Sequence, residues 1–292
     1  MKQKVALVLS GGGARGIAHI GVIEELESRG YEITSIAGTS MGSVVGGIYA
    51  AGKLDILKKW LFSLDKLKVL YMVDFTLSKQ GLVKGDRVTG RLKRLIADIQ
   101  IEDLRIPFAA VAVDLIQSRE VVFRSGSMYE ALRASVSIPT VFTPVKTKDG
   151  LLVDGGVMNN VPIDRVERTP GDILVAVDVN ASIPVIKPAI TKKEEKARQS
   201  VYRKKVLEFQ HYLLGNGSKS RELNLGYFDL ISKTISLMTH HTARLLMEQH
   251  SPDILIEVSH DSCEMYDFYK AEEMVEIGRH AASLKLPANV SK

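Results

Sequence analysis

The chain carries one cysteine, Cys263, in 292 residues. An intrachain disulfide is therefore excluded, and a reducing, cytoplasmic setting is the expectation. No arrangement of neighbouring histidine or acid singles Cys263 out as a nucleophile, so it reads as a structural residue. No apolar run approaches the roughly 20 residues that span a bilayer. The amino-terminal run Val5 to Leu9 is too short for a signal sequence and passes straight into a glycine loop, which makes it a first strand. Histidine, cysteine and acidic residues nowhere cluster at metal-ligand spacing, so no metal is expected, and no cofactor either. Nothing resembles a nucleic-acid-binding module, and internal repeats are absent.

What is present is a 45% hydrophobic chain of a length that buries one substantial core. Apolar runs at 5–9, 33–37, 108–113, 151–153, 173–179 and 254–258 alternate with helical patterns. That alternation predicts an α/β fold, a mostly parallel sheet wrapped by helices, with functional residues at the strand C-termini. Residues 55–105 read as helices and loops. Their apolar Trp60, Leu61, Phe62 and Leu64 fit either an acyl-chain groove or an ordinary core patch.

Positive charge is concentrated. Between Lys187 and Arg221 there are ten Lys or Arg against three Glu, an excess of +7 where the whole chain carries +5. Tyr202, Val206, Phe209 and Leu213 recur there at helical spacing. The segment reads either as a solvated insertion or as a basic amphipathic helix. In the second case it would contact an anionic membrane peripherally or act as a lid, at about 1 kcal/mol per basic residue near the headgroups. The expected organisation is a catalytic core over 1–182, this insertion over 183–225, and a C-terminal part over 226–292 that completes the same domain.

Three glycine-containing motifs carry chemistry. Gly38-Thr39-Ser40-Met41-Gly42 reads G-x-S-x-G where the run Ile33 to Ala37 gives way to a helical pattern. This is the sequence form of a nucleophile elbow, which exposes a serine on a tight strand-to-helix turn. Glycines two before and two after the serine let the chain cross itself, and the helix N-terminus favours an alkoxide. Ser10 to Gly16 closes the first strand with Gly11, Gly12, Gly13, Ala14, Arg15 and Gly16. Its G-x-G-x-x-G also matches a dinucleotide fingerprint, but that motif needs an acid at the end of the second strand. Ser40 stands at that strand's end instead. The other readings of the loop are an oxyanion hole built from the amides of Gly11 to Ala14, or a tight turn without a ligand.

The third motif is Asp154-Gly155-Gly156 after the short strand 151–153. Asp154 can be a general base for Ser40, or simply a turn residue. Histidine is the commoner partner of a serine, and the chain has seven. His260, just after the run 254–258, is the best placed of them. His19, inside the first helical pattern, reads as a helix-face residue.

Taken together, G-G-G-A-R-G at 11–16, G-T-S-M-G at 38–42 and D-G-G at 154–156 resemble the patatin-like phospholipase family of the bacterial type. Arg133 to Pro139, Phe142 to Val145 and Asn159 to Pro162 agree with it. The resemblance spans about 1–180 and resumes near 252–284. It implies a single-domain three-layer α/β/α fold and a Ser–Asp dyad without histidine. Ser40 is carried over as nucleophile, Asp154 as base, the 11–14 loop as oxyanion hole and Arg15 as a residue that fixes this loop; Gly16, Gly38, Gly42, Gly155 and Gly156 support them. Thr140 departs from the pattern, since many relatives have glycine there. The function so implied is a serine lipid acyl hydrolase of the phospholipase A, lysophospholipase or esterase type, with a lipid or ester as substrate. Its rivals are a Ser-His-Asp esterase using His260 and a regulatory or adaptor protein on the same fold.

Overall fold

The computed structural model describes residues 2–72, 74, 81–185 and 227–287. Strands β1 (Lys4–Leu9), β2 (Glu32–Thr39), β4 (Phe108–Asp114), β8 (Leu151–Asp154), β9 (Asp172–Ala181) and β10 (Ile254–Ser259) match the six apolar runs. Short strands β5 (Arg119–Phe123) and β7 (Val145–Lys146) add antiparallel edges, while β3 (Gly81–Val83) and β6 (Thr140–Phe142) pair apart from the main sheet. The main sheet runs β10-β9-β1-β2-β4-β8-β7, with β5 also on β4. Its five strands from β10 to β4 are parallel, and β8 and β7 join antiparallel. Adjacent parallel strands meet in the middle of this order, so their C-terminal ends form one shared rim.

The helices are α1 (Ala18–Ser28), α2 (Met41–Ala50), α3 (Leu54–Phe62), α4 (Lys66–Met72), α5 (Asp86–Leu95), α6 (Met128–Ser135), α7 (Tyr227–His250) and α8 (Ala271–Lys285). Alternation along β1 sorts its side chains to two faces. Val5, Leu7 and Leu9 join a large core with α1, α2, α3, α6 and α8, and Ala6 and Val8 face the other way. On that second face the small residues Ala6, Ala37, Ala109 and Ala176 allow close packing by Val161, Ile163 and Val166 and by Ala243 of α7. Two helical or irregular layers thus sandwich one sheet, giving the three-layer α/β/α arrangement in a single domain.

Leu61 and Leu64 are buried, and Trp60 and Phe62 pack against the large core. This patch is core. The basic segment 187–221 lies outside the described residues. Among the described residues, no helix is long and apolar enough to cross a membrane.

Candidate active site

The elbow forms as its spacing predicts. β2 ends at Thr39 and α2 starts at Met41, leaving Ser40 between them at φ 53°, ψ −126°. A non-glycine residue in the left-handed region costs on the order of 1–3 kcal/mol and persists where its surroundings over-determine it. Here they do. The Ser40 N–H donates to Ser135 Oγ at 2.9 Å, and Ser135 Oγ donates to the Val111 carbonyl at 2.6 Å. A Cβ on Gly38 would lie 2.6 Å from the Gly42 carbonyl, and one on Gly42 would lie 2.6 Å from the Ser10 carbonyl. Both glycines are thus required by close backbone approach. The first α2 amide bonded within the chain is Val44, to the Ser40 carbonyl, so the open N-terminal turn of α2 lies directly behind the serine.

Asp154 closes β8 opposite Ala112 of β4. Its Oδ1 accepts the Gly156 N–H at 2.7 Å. The other oxygen, Oδ2, is buried and takes no hydrogen bond. Burial is the larger influence on this carboxyl and pushes its pKa up to about 6, while the facing Ser40 hydroxyl and the Gly156 amide pull it down. Ser40 and Asp154 are therefore brought together, the serine hydroxyl facing the carboxyl. Gly155 crosses the ends of β4 and β2, where a Cβ would sit 3.1 Å from Thr39 Cγ2.

The glycine loop lies on the other side of Ser40: a Cβ on Gly11 would be 3.0 Å from Ser40 Cβ. Two of its four amides are engaged elsewhere. Gly11 N–H donates to the Asn160 carbonyl at 3.1 Å, and Ala14 N–H donates to the Met265 carbonyl at 2.9 Å. The amides of Gly12 and Gly13 have no acceptor among the described residues. Arg15 does not reach the serine. Its guanidinium donates to Asn180 Oδ1 at 2.9 Å and to the Cys263 carbonyl at 3.2 Å. Asn180 Nδ2 in turn donates to the Gly11 carbonyl at 2.7 Å, so Arg15 and Asn180 tie the loop to β9. Gly16 packs against Met41, 2.7 Å from where a Cβ would stand. Cys263 is buried, and burial pushes its thiol up to about 11, which keeps it protonated and inert.

No described histidine hydrogen-bonds Ser40 or Asp154. His260 Nδ1 lies 3.2 Å from the Ala181 carbonyl and its Nε2 lies 3.3 Å from Asp261. His19 lies on the buried face of α1, where Nε2 donates to the Ser10 carbonyl at 2.8 Å; burial lowers its pKa to about 4, so it stays neutral. His211 is outside the described residues. Asn180 carries no motif, and Ser135 lies in the Arg133 to Pro139 stretch without a role assigned to it; only the fold shows what these two side chains do. A polar cavity of about 530 Å³ sits at the other end of the sheet, lined by Glu24, Glu27, Tyr49 and Arg105 among others, and holds none of these residues. No group of three or more His, Cys, Asp or Glu among the described residues is placed to hold a metal ion.

The chain is 31% identical to an uncharacterised NTE family protein of Mycobacterium tuberculosis, over 98% of this chain and 92% of that one. It is 34% identical to the human patatin-like phospholipase domain-containing protein 6 over 61% of this chain, which is 13% of the human protein's length. The structure of VipD from Legionella pneumophila aligns over 97% of this chain and 66% of that one, with 14% identity and a TM-score of 0.49. The family model for patatin-like phospholipases matches residues 7–166, which contain the glycine loop, the elbow and the Asp154 turn. By this match and by its full-length relatives, the chain belongs to the patatin-like phospholipase family.

Proposed function

We propose that this protein is a serine lipid acyl hydrolase working through a Ser40–Asp154 dyad. The observation that carries the reading is a serine held at φ 53° on a helix N-terminus with a buried, unpaired carboxylate oxygen beside it. Asp154 Oδ2 takes the Ser40 proton as Oγ attacks the ester carbonyl. A carboxyl pKa near 6 gives a base that is ionised at neutral pH yet basic enough to accept a proton. The free amides of Gly12 and Gly13 hold the tetrahedral oxyanion, each such donor contributing about 3 kcal/mol in serine hydrolases. Collapse expels the alcohol, which leaves with the proton from Asp154, and water then hydrolyses the acyl-enzyme with Asp154 again as base. Arg15 and Asn180 act on the loop and not on the substrate. The basic segment 187–221 supplies peripheral attraction to anionic bilayers, where lipid substrates are found.

The test is fatty-acid release from phosphatidylcholine, lysophosphatidylcholine and a short-chain p-nitrophenyl ester. Wild type is expected to turn over at least one of the three. Ser40→Ala is expected to lose more than about a thousandfold, in keeping with loss of the nucleophile. Turnover retained by Ser40→Ala would remove the reading.

A further inference from the structure

Asn160 follows the Asp154 turn by a few residues and belongs to none of the roles above. Its backbone carbonyl accepts the Gly11 N–H, which ties it to the glycine loop. The residue is only 6% exposed, and its side chain stands between the two loops that flank the serine. A Cβ on Gly11 would lie 2.5 Å from Asn160 Oδ1 and 3.0 Å from Ser40 Cβ. One on Gly156 would lie 2.9 Å from the same Oδ1 and 3.1 Å from Asp154 Oδ1. The single carboxamide oxygen is thus a close neighbour of both members of the dyad.

None of the polar side-chain atoms of Asn160 makes a hydrogen bond among the described residues. The adjacent Asn159 differs: its Nδ2 donates to Asp164 Oδ1 at 2.9 Å, and its Oδ1 is fully buried without a partner, out of reach of solvent. The Asn160 carboxamide is not fully closed off from solvent, so a water that arrives for the reaction can reach it and hydrogen-bond to it. Deacylation supplies one. Water carries two hydrogens, and a single base takes only one of them.

We propose that Asn160 is a further catalytic residue, whose Oδ1 accepts a hydrogen bond from the second O–H of the water that cleaves the acyl-enzyme. The inference rests on the Ser40–Asp154 reading. In the step, Asp154 takes one proton from the water and the resulting hydroxide oxygen bonds to the acyl carbon. The other hydrogen stays on that oxygen, hydrogen-bonded to Asn160 Oδ1, which aims the lone pair at the carbonyl. Collapse breaks the bond from carbon to Ser40 Oγ, the proton on Asp154 returns to Oγ, and the carboxylic acid leaves. Acylation needs no water, so Asn160 has no part in that half.

The test compares wild type with Asn160→Ala and Asn160→Ser by two readouts. The rate of covalent labelling by a fluorophosphonate reports the attack of Ser40 and the integrity of the site without any deacylation. Steady-state and burst kinetics on a p-nitrophenyl ester, with intact-mass detection of the acyl-enzyme, report the second half. Both variants are expected to label within about threefold of wild type. In Asn160→Ala, kcat should fall at least tenfold, with a full burst and an accumulating acyl-enzyme; Asn160→Ser, which keeps a hydroxyl acceptor, should fall less. A kcat equal to wild type would overturn the inference, as would a labelling rate that falls in step with kcat. Failure of the wild type to label would overturn the dyad reading itself, so the two failures are distinct.

Discussion

Replacing Asp154 by Asn removes a buried negative charge while keeping the shape of the side chain. The carboxamide oxygen can still accept the Gly156 N–H that Oδ1 now accepts at 2.7 Å. The charge, however, is held against its preference. Burial raises the Asp154 pKa from 3.8 to about 6 in the folded protein, a displacement that corresponds to about 3 kcal/mol. Between these two values the folded state keeps a proton that the unfolded state has released. Stability therefore falls as pH rises through that window, and the full penalty is present above about 6. Asp154→Asn is accordingly expected to stabilise the fold by up to about 3 kcal/mol at pH 8 and by less than about 1 kcal/mol at pH 4. For a chain of this size that is a rise in Tm of about 6 °C at pH 8. The same variant should have almost no esterase turnover, because the base is gone. Urea unfolding at pH 4 and pH 8, fitted with a common m-value, measures the effect. A variant less stable than wild type at pH 8, or one stabilised equally at both pH values, would refute the reasoning.

Three further outcomes follow from named contacts. For a neutral ester, kcat/KM should climb about tenfold per pH unit below about 6 and level off above it, since only ionised Asp154 acts as base; a flat profile from pH 5 to 7.5 would contradict this. Ser135→Ala leaves the strained Ser40 amide without its acceptor, so a loss of about 1–3 kcal/mol in unfolding free energy is expected, together with slower fluorophosphonate labelling. Thr140, a β-branched residue, sits at φ +72°, a conformation that costs about 1–2 kcal/mol outside glycine. Thr140→Gly should therefore gain about 1 kcal/mol in thermal or urea unfolding after the extra freedom of the unfolded chain is counted, with turnover unchanged.

The Thr140 case shows how much the sequence carried and where it stopped. The resemblance leads one to expect glycine at position 140, and the φ of +72° at Thr140 supplies the physical reason. The five parallel strands were readable because buried parallel strands appear as continuous apolar runs, and the four-residue antiparallel β8 because its Leu-Leu-Val run stops at the Asp-Gly-Gly turn. The strands β3, β6 and β7 have two or three residues each and leave too short a pattern to register, while β5 has no fully buried residue. Within the site, residue types were readable and their partners were not. The 11–14 loop announces itself by its glycines, but only the fold shows Gly11 and Ala14 engaged by Asn160 and Met265. Ser135, Asn180 and Asn160 act through contacts across long sequence separations, which no local spacing encodes. His19 carried a helix-face signal, and its burial depends on which face α1 turns to the sheet.

The central claim is that a carboxylate, without a histidine, activates Ser40. Its most direct test is ester turnover by Asp154→Asn beside each of the seven histidines changed singly to alanine. The dyad predicts that Asp154→Asn falls by more than about a thousandfold, while His260→Ala and the other histidine variants stay within about threefold of wild type. Buried His19 is the exception in stability, and its variant is compared per folded molecule by active-site titration. Abolished turnover in any properly folded histidine variant, with Asp154→Asn still active, would contradict the account.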